Sequence, residues 1–230
     1  SCALYTKLAA ELPFIFSKIP STVKNLYLGF NRLSLYRAAD LAKALESLPL
    51  HLNHLNLEWN ELGLMSTDCL KSIFETLPPS IKTLGLGGNQ LSQKNGKELK
   101  KIFKKLKHIE HLDLSFNGLG LLNNKALSTA FSGLSDTLLT LNLEANAFSY
   151  AQNPVLLSTV KALPKSVAFI NLKGNDFMML NPIHLAYALH QRPYPTQYDL
   201  TQNGLSEETL AEILLILNTK RPASKCNIPI

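Results

Sequence analysis

The sequence lacks any apolar run approaching the roughly 18 residues that a helix needs to cross a bilayer, and its first residues show no charged segment followed by an apolar one and a cleavage site. A soluble chain with no transmembrane segment is expected. Cysteine is scarce: Cys2, Cys69 and Cys226 are an odd number without short metal-ligand spacing, so neither a disulfide framework nor a zinc site is indicated. A reducing, cytoplasmic compartment is the default, with no metal and no cofactor. No acid, base and nucleophile converge in the pattern, so no catalytic residue is assigned and the chain is not read as an enzyme. The net charge of +6 would suggest nucleic acid were it spread over the chain. It is local instead: residues 92 to 108 hold seven lysines and one glutamate, and the remaining 16 basic and 16 acidic residues balance. No nucleic-acid partner is expected from charge confined to one helix.

What the sequence does contain is one phrase written seven times. It runs "VKNLYLGFNRL" from Val23, "LNHLNLEWNEL" from Leu52, "IKTLGLGGNQL" from Ile81, "IEHLDLSFNGL" from Ile109, "LLTLNLEANAF" from Leu138, "VAFINLKGNDF" from Val167 and "PTQYDLTQNGL" from Pro195. Position nine is asparagine in every copy, Asn31, Asn60, Asn89, Asn117, Asn146, Asn175 and Asn203, at spacings of 28 or 29 residues. Such a period marks a stacked array. Apolar positions one, four and six describe a short strand with Leu26 and Leu28, Leu55 and Leu57 and their equivalents turned inward. The asparagine ends it, because a buried amide can both donate to and accept from backbone groups that would otherwise be unpaired. About ten residues later a spacing of three and four begins, as in Leu41, Ala44, Leu45 and Leu48, or Leu99, Ile102, Phe103 and Leu106, and predicts one face of a helix. Helix starts carry Asn153-Pro154, Asn181-Pro182 and Ser206, and helix ends run into Pro20, Pro49, Pro78 and Pro164.

A phrase LxxLxLxxNxL with a full helix and units of 28 and 29 residues resembles the leucine-rich repeat family, in its ribonuclease-inhibitor-like class. The resemblance implies an α/β leucine-rich repeat solenoid, a segment of a curved right-handed β/α horseshoe with a parallel sheet on the concave face and helices on the convex face. One array is expected over 1–230: a partial first repeat at 1–22, strands near 23–28, 52–57, 81–86, 109–114, 138–143, 167–172 and 195–200, and an eighth strand at 223–228. Cys2-Ala3-Leu4 matches the end of a strand phrase, from which a fragment of a longer protein is expected. The prolines ahead of strands, as in "LPPSIKTLGLGGNQL", also look like the leucine-rich repeats of effectors that bacterial pathogens inject into host cells, which implies type IV secretion into the host cytosol. By this likeness the chain is a non-catalytic module that binds a host protein through its concave face, or the recognition domain of a larger enzyme.

Positions three, five and seven alternate with the buried leucines and form columns on the concave surface. The candidate partner-binding residues are Tyr27, Gly85, Asp113 and Asn142 at position five, Glu58, Gly87, Glu144 and Lys173 at position seven, His111 at position three, and Phe30, Trp59 and Phe116 at position eight. Gly85, Gly87 and Gly88 do not read as a phosphate loop, since the helix begins only after Leu91 has been buried. They read as a bare notch between aromatic flanks, a hot-spot pattern. Trp59 and Phe116 could equally fold over the loop and pack internally. His51 and His54, with His108 and His111, lie two strands apart, roughly 10 Å, too far to share a metal ion. A lysine-rich helix over 94–107 places Lys97, Lys100, Lys101, Lys104 and Lys105 opposite its apolar face, either a solvated stripe or a basic patch for an acidic partner or an anionic membrane surface.

Overall fold

The computed structural model describes residues 9–150, 159–190, 192 and 196–218. Seven strands form one parallel sheet in chain order: β1 (Asn25–Tyr27), β2 (His54–Asn56), β3 (Thr83–Gly85), β4 (His111–Asp113), β5 (Thr140–Asn142), β6 (Phe169–Asn171) and β7 (Gln197–Asp199). Their registers align position four throughout, Leu26 with Leu55, Leu55 with Leu84, and so on to Ile170 with Tyr198. Each strand is three residues long and lies within its repeated phrase. The ladder runs on past it, with Leu28 N–H donating to Asn56 O and Phe30 N–H to Glu58 O, while the chain already bends toward the asparagine.

Between strands the chain crosses to the other side and returns through α1 (Leu12–Ser17), α2 (Ala38–Glu46), α3 (Thr67–Glu75), α4 (Gly96–Phe103), α5 (Asn124–Phe131), α6 (Pro182–His190) and α7 (Glu207–Asn218); residues 159–162 are helical too. Helices start where side chains cap them. Asn95 Oδ1 accepts from Lys97 and Glu98 N–H while Glu98 returns a bond to Asn95 N–H, a capping box; Ser66, Asn123, Asn181 and Ser206 each accept from the backbone three residues on. The prolines mark the way back, since the carbonyls of Pro20, Pro49, Pro78 and Pro164 each accept the N–H that opens the next phrase. The lysine helix is shorter than the 94–107 stretch: it ends at Phe103, and Leu106 folds back through a turn to Phe103 O to join the core.

One core fills the space between the layers. Leu55, Leu57, Leu84, Leu86, Leu112 and Leu114 from the strands meet Leu70, Ile73, Phe74, Leu99, Ile102, Phe103 and Phe131 from the helices, all buried. Neighbouring strands sit about 4.8 Å apart and packed helices about 8–10 Å apart. The helix layer is therefore the longer arc, which puts the sheet on the concave side. The stretches 1–8 and 219–230, which carry the expected first strand end and the eighth strand, lie outside the described residues.

Candidate functional site

The site is built on the turn that follows each strand. Every left-handed residue among the described residues falls at position eight or ten of a phrase, on either side of the asparagine: Phe30 and Arg32, Trp59 and Glu61, Gly88 and Gln90, Phe116 and Gly118, Ala145 and Ala147, Gly174 and Asp176, Gln202 and Gly204. Between them the asparagine is buried and saturated. Asn60 Oδ1 accepts from the N–H groups of Asn31 and Leu33 in the preceding repeat, at 2.9 and 3.2 Å, and Asn60 Nδ2 donates back to Leu28 O and to its own Leu57 O. The same pattern recurs at Asn89, Asn117, Asn175 and Asn203. The amide completes the turn of the repeat before it.

With the asparagine directed inward and its neighbours in left-handed backbone, position eight is turned out at the strand exit. Phe30, Trp59 and Phe116 stand there in a row. Phe30 and Trp59 stack with ring centres 5.6 Å apart, and Trp59 and Phe116 lie 5.8 Å apart, tilted. Trp59 reaches Phe116 by lying across Gly88, where a Cβ would collide with the indole. The rings remain 62%, 42% and 49% exposed. With Arg32, Glu61 and Gln90 from position ten they line a shallow groove of about 320 Å³. Just beyond, at the ends of the next 3-10 turns, Leu35, Leu64 and Leu121 add exposed apolar surface. The aromatics thus pack on one another across the loop and still present a surface. Arg32, Glu61 and Gln90 were not among the residues singled out from the sequence; the glycine or aspartate at position ten of other copies, Gly118, Asp176 and Gly204, is the signal for that left-handed, outward position.

The sheet face differs from the sequence expectation. Gly85 and Gly87 are buried, so they form no bare notch. Glu58 extends over both: added Cβ atoms would meet its Oε1 at 3.1 Å from Gly85 and its Cγ at 3.3 Å from Gly87, where Ser115 Oγ also stands at 2.8 Å. The carboxylates and amides beyond are engaged with one another. Position-five side chains Asn56, Asp113, Asn142, Asn171 and Asp199 each accept from the backbone N–H at position seven, at 2.7 to 3.0 Å. Asn142 Nδ2 also donates to Asp113 Oδ2, Asn171 Nδ2 donates to Glu144, and Lys173 Nζ sits 3.7 Å from Glu144. Asp113, Asn142, Glu144 and Lys173 therefore come together as a lateral network. Their column has a structural reason, the satisfaction of a backbone donor, that the sequence reading missed.

Tyr27 is exposed at the first strand, its ring 5.3 Å from that of His54. Burial lowers the pKa of His54 below its ordinary value, against a smaller opposing pull from Glu58; His108 is lowered by burial and then by Lys82. His111 is held by Thr140 Oγ1 at 2.9 Å. Cys69 is half-buried beside the core, with its N–H donating to Ser66. On the helix side Lys97, Lys101 and Lys104 are exposed, Lys100 is half-buried, and Lys105 pairs with Glu75 at 2.7 Å.

No family model matches the sequence, and no curated protein matches it. Among solved structures, the leucine-rich repeat-containing protein LegL7 from Legionella pneumophila superposes at a TM-score of 0.82 with 30% sequence identity, over 90% of this chain and 66% of that one. The chain therefore spans just under two thirds of the length of LegL7. The tropomodulin C-terminal domain of Caenorhabditis elegans matches far more loosely, at a TM-score of 0.37 and 12% identity over 79% of this chain and 92% of that one. Seven parallel strands alternating with helices, stitched by an asparagine in every turn and superposing on LegL7, make this chain a leucine-rich repeat protein.

Proposed function

We propose that this chain is a non-catalytic protein-recognition module whose working surface is the aromatic row at the strand exits, Phe30, Trp59 and Phe116, with Glu58 and Tyr27 on the adjoining sheet face. One observation carries the reading. Bulky side chains occupy left-handed backbone at positions that Gly88 and Gly174 fill without strain, and non-glycine residues there cost of order 1 kcal/mol or more each. The strain keeps large, rigid, half-exposed rings in a line, which is the make-up of a binding hot spot. The reading places the chain in a bacterial effector that acts on a host protein in the reducing host cytosol. It is supported by the prolines ahead of the strands and by the likeness to a Legionella leucine-rich repeat protein.

The test is affinity capture from membrane-cleared host-cell lysate on immobilised protein, wild type against Trp59→Ala and Phe116→Ala. Proteins held by the wild type should be captured at least tenfold less by either variant, since truncating a buried aromatic anchor commonly costs about 2 kcal/mol. Melting temperature reads out the fold in parallel. Equal capture by wild type and both variants would overturn the assignment.

A further inference from the structure

The helix side carries a second feature, independent of the aromatic row. Around α4 the charge is net positive, with several of its lysines outside any ion pair among the described residues. The acids nearest it are already committed: Asp68 to Lys71 at 2.8 Å, Glu75 to Lys105 at 2.7 Å, and Glu98 to Asn95 N–H and Thr67 Oγ1 at 2.8 and 2.9 Å. These bonds hold the three carboxyls below the usual carboxylate range. Among the described residues Lys97, Lys101 and Lys104 remain exposed and join no ion pair within 4.0 Å, with exposed Lys125 on the next helix.

The form of this patch selects its partner. From residue 65 to residue 115 no large apolar side chain is exposed. Leu99, Ile102 and Phe103 of α4 are wholly buried, and the groove of the aromatic row lies at the strand exits. On α4 itself a protein partner would find no exposed apolar side chain to anchor on, and protein interfaces draw their energy from such anchors. A single-stranded nucleic acid would find no ring for its bases to stack on. A fluid anionic surface asks for neither, only for several cations on long side chains presented outward together. We propose that the convex face centred on α4 docks the solenoid onto anionic lipid, through Lys97, Lys101 and Lys104. The sheet and the aromatic row then face away from the bilayer, so lipid and protein partner can be held at once.

The test is sedimentation of the full chain with vesicles of phosphatidylcholine containing about 30% phosphatidylserine, at about 50 mM salt, where screening is weak. Wild type should co-sediment with these vesicles and not with pure phosphatidylcholine, and about 300 mM salt should reduce binding at least tenfold. The triple variant Lys97→Gln, Lys101→Gln, Lys104→Gln should bind at least tenfold more weakly, at roughly fivefold per lysine before losses overlap. A matched triple elsewhere, Lys18→Gln, Lys24→Gln, Lys43→Gln, should stay within about twofold of wild type. Circular dichroism checks that both variants fold. The proposal is overturned by wild type ignoring the anionic vesicles, by equal binding to pure phosphatidylcholine, or by the matched triple losing as much as the α4 triple. Tighter binding to polyglutamate or to a DNA duplex than to the vesicles would assign the face to an acidic protein or to nucleic acid instead.

Discussion

Positions eight and nine of the repeat are adjacent in sequence and opposite in character. At nine, seven asparagines point inward, each nearly free of solvent contact, and from Asn60 onward each is hydrogen-bonded on both sides of its amide. At eight, the residue points out and varies from glycine and alanine to phenylalanine and tryptophan, always in left-handed backbone. One position is dictated by backbone groups that water cannot reach, so only one side chain serves. The other is dictated by nothing in the fold beyond its conformation, which glycine suits best. Constancy at nine is therefore a statement about stability. Bulk at eight is not required by the turn, and the proposed function gives it a purpose.

The comparison can be broken first at its buried member. Asn89→Ala removes the acceptor for Asn60 and Leu62 N–H and the donor to Leu57 and Leu86 O. Several buried groups lose their partners at about 1–3 kcal/mol each. The expected loss is about 3 kcal/mol or more, read by urea denaturation. A loss under about 1 kcal/mol would mean that water replaces the amide, and the distinction between the two positions would fall. The opposite sign is expected beside it. Ala147, at position ten with φ of 62°, holds left-handed backbone without a large side chain, so Ala147→Gly should raise stability by about 0.5–1 kcal/mol through released strain. Unchanged or lowered stability would show that left-handed geometry is not costly here and would weaken the argument from the aromatics.

The smallest effect concerns acid. The amide ladder does not titrate, but the two burial-lowered histidines do. Because their folded pKa lies below the unfolded value of 6.5, the folded protein binds fewer protons than the unfolded chain in that interval. Stability is therefore full above about pH 6.5 and declines as pH falls through the folded values. Melting temperature should drop modestly between pH 7.5 and pH 5.5, and the drop should shrink in His54→Gln, His108→Gln. An identical drop in the double variant would place the titrating groups elsewhere.

The repeat, the asparagines, the parallel order and the inward leucines could all be read from the sequence, because each rests on a period that local chemistry imposes on every copy. Leu41, Ala44, Leu45 and Leu48 are buried as their spacing requires. The site was legible only in part. Phe30, Trp59 and Phe116 stood out as aromatics, but whether they would pack or be exposed depended on ring positions across three repeats, and they do both. Gly85 and Gly87 looked bare because their own positions are. What covers them is Glu58, a side chain from the preceding repeat, and no single phrase records that. The Asn and Asp column at position five looked like a binding surface because its partner is a backbone N–H, which leaves no mark in a sequence.

The stitching of the asparagines also gives the solenoid a direction. Asn60 serves the backbone of the repeat that ends at Leu33, Asn89 serves the repeat of Asn60, and so on to Asn203, which serves Asn175. A repeat removed from the amino-terminal side leaves the next turn intact, since that turn is completed from the other direction. A repeat removed from the carboxyl-terminal side leaves its neighbour's turn with open donors and acceptors. The array is therefore polar along its length: each turn depends on the repeat that follows it and not on the one before.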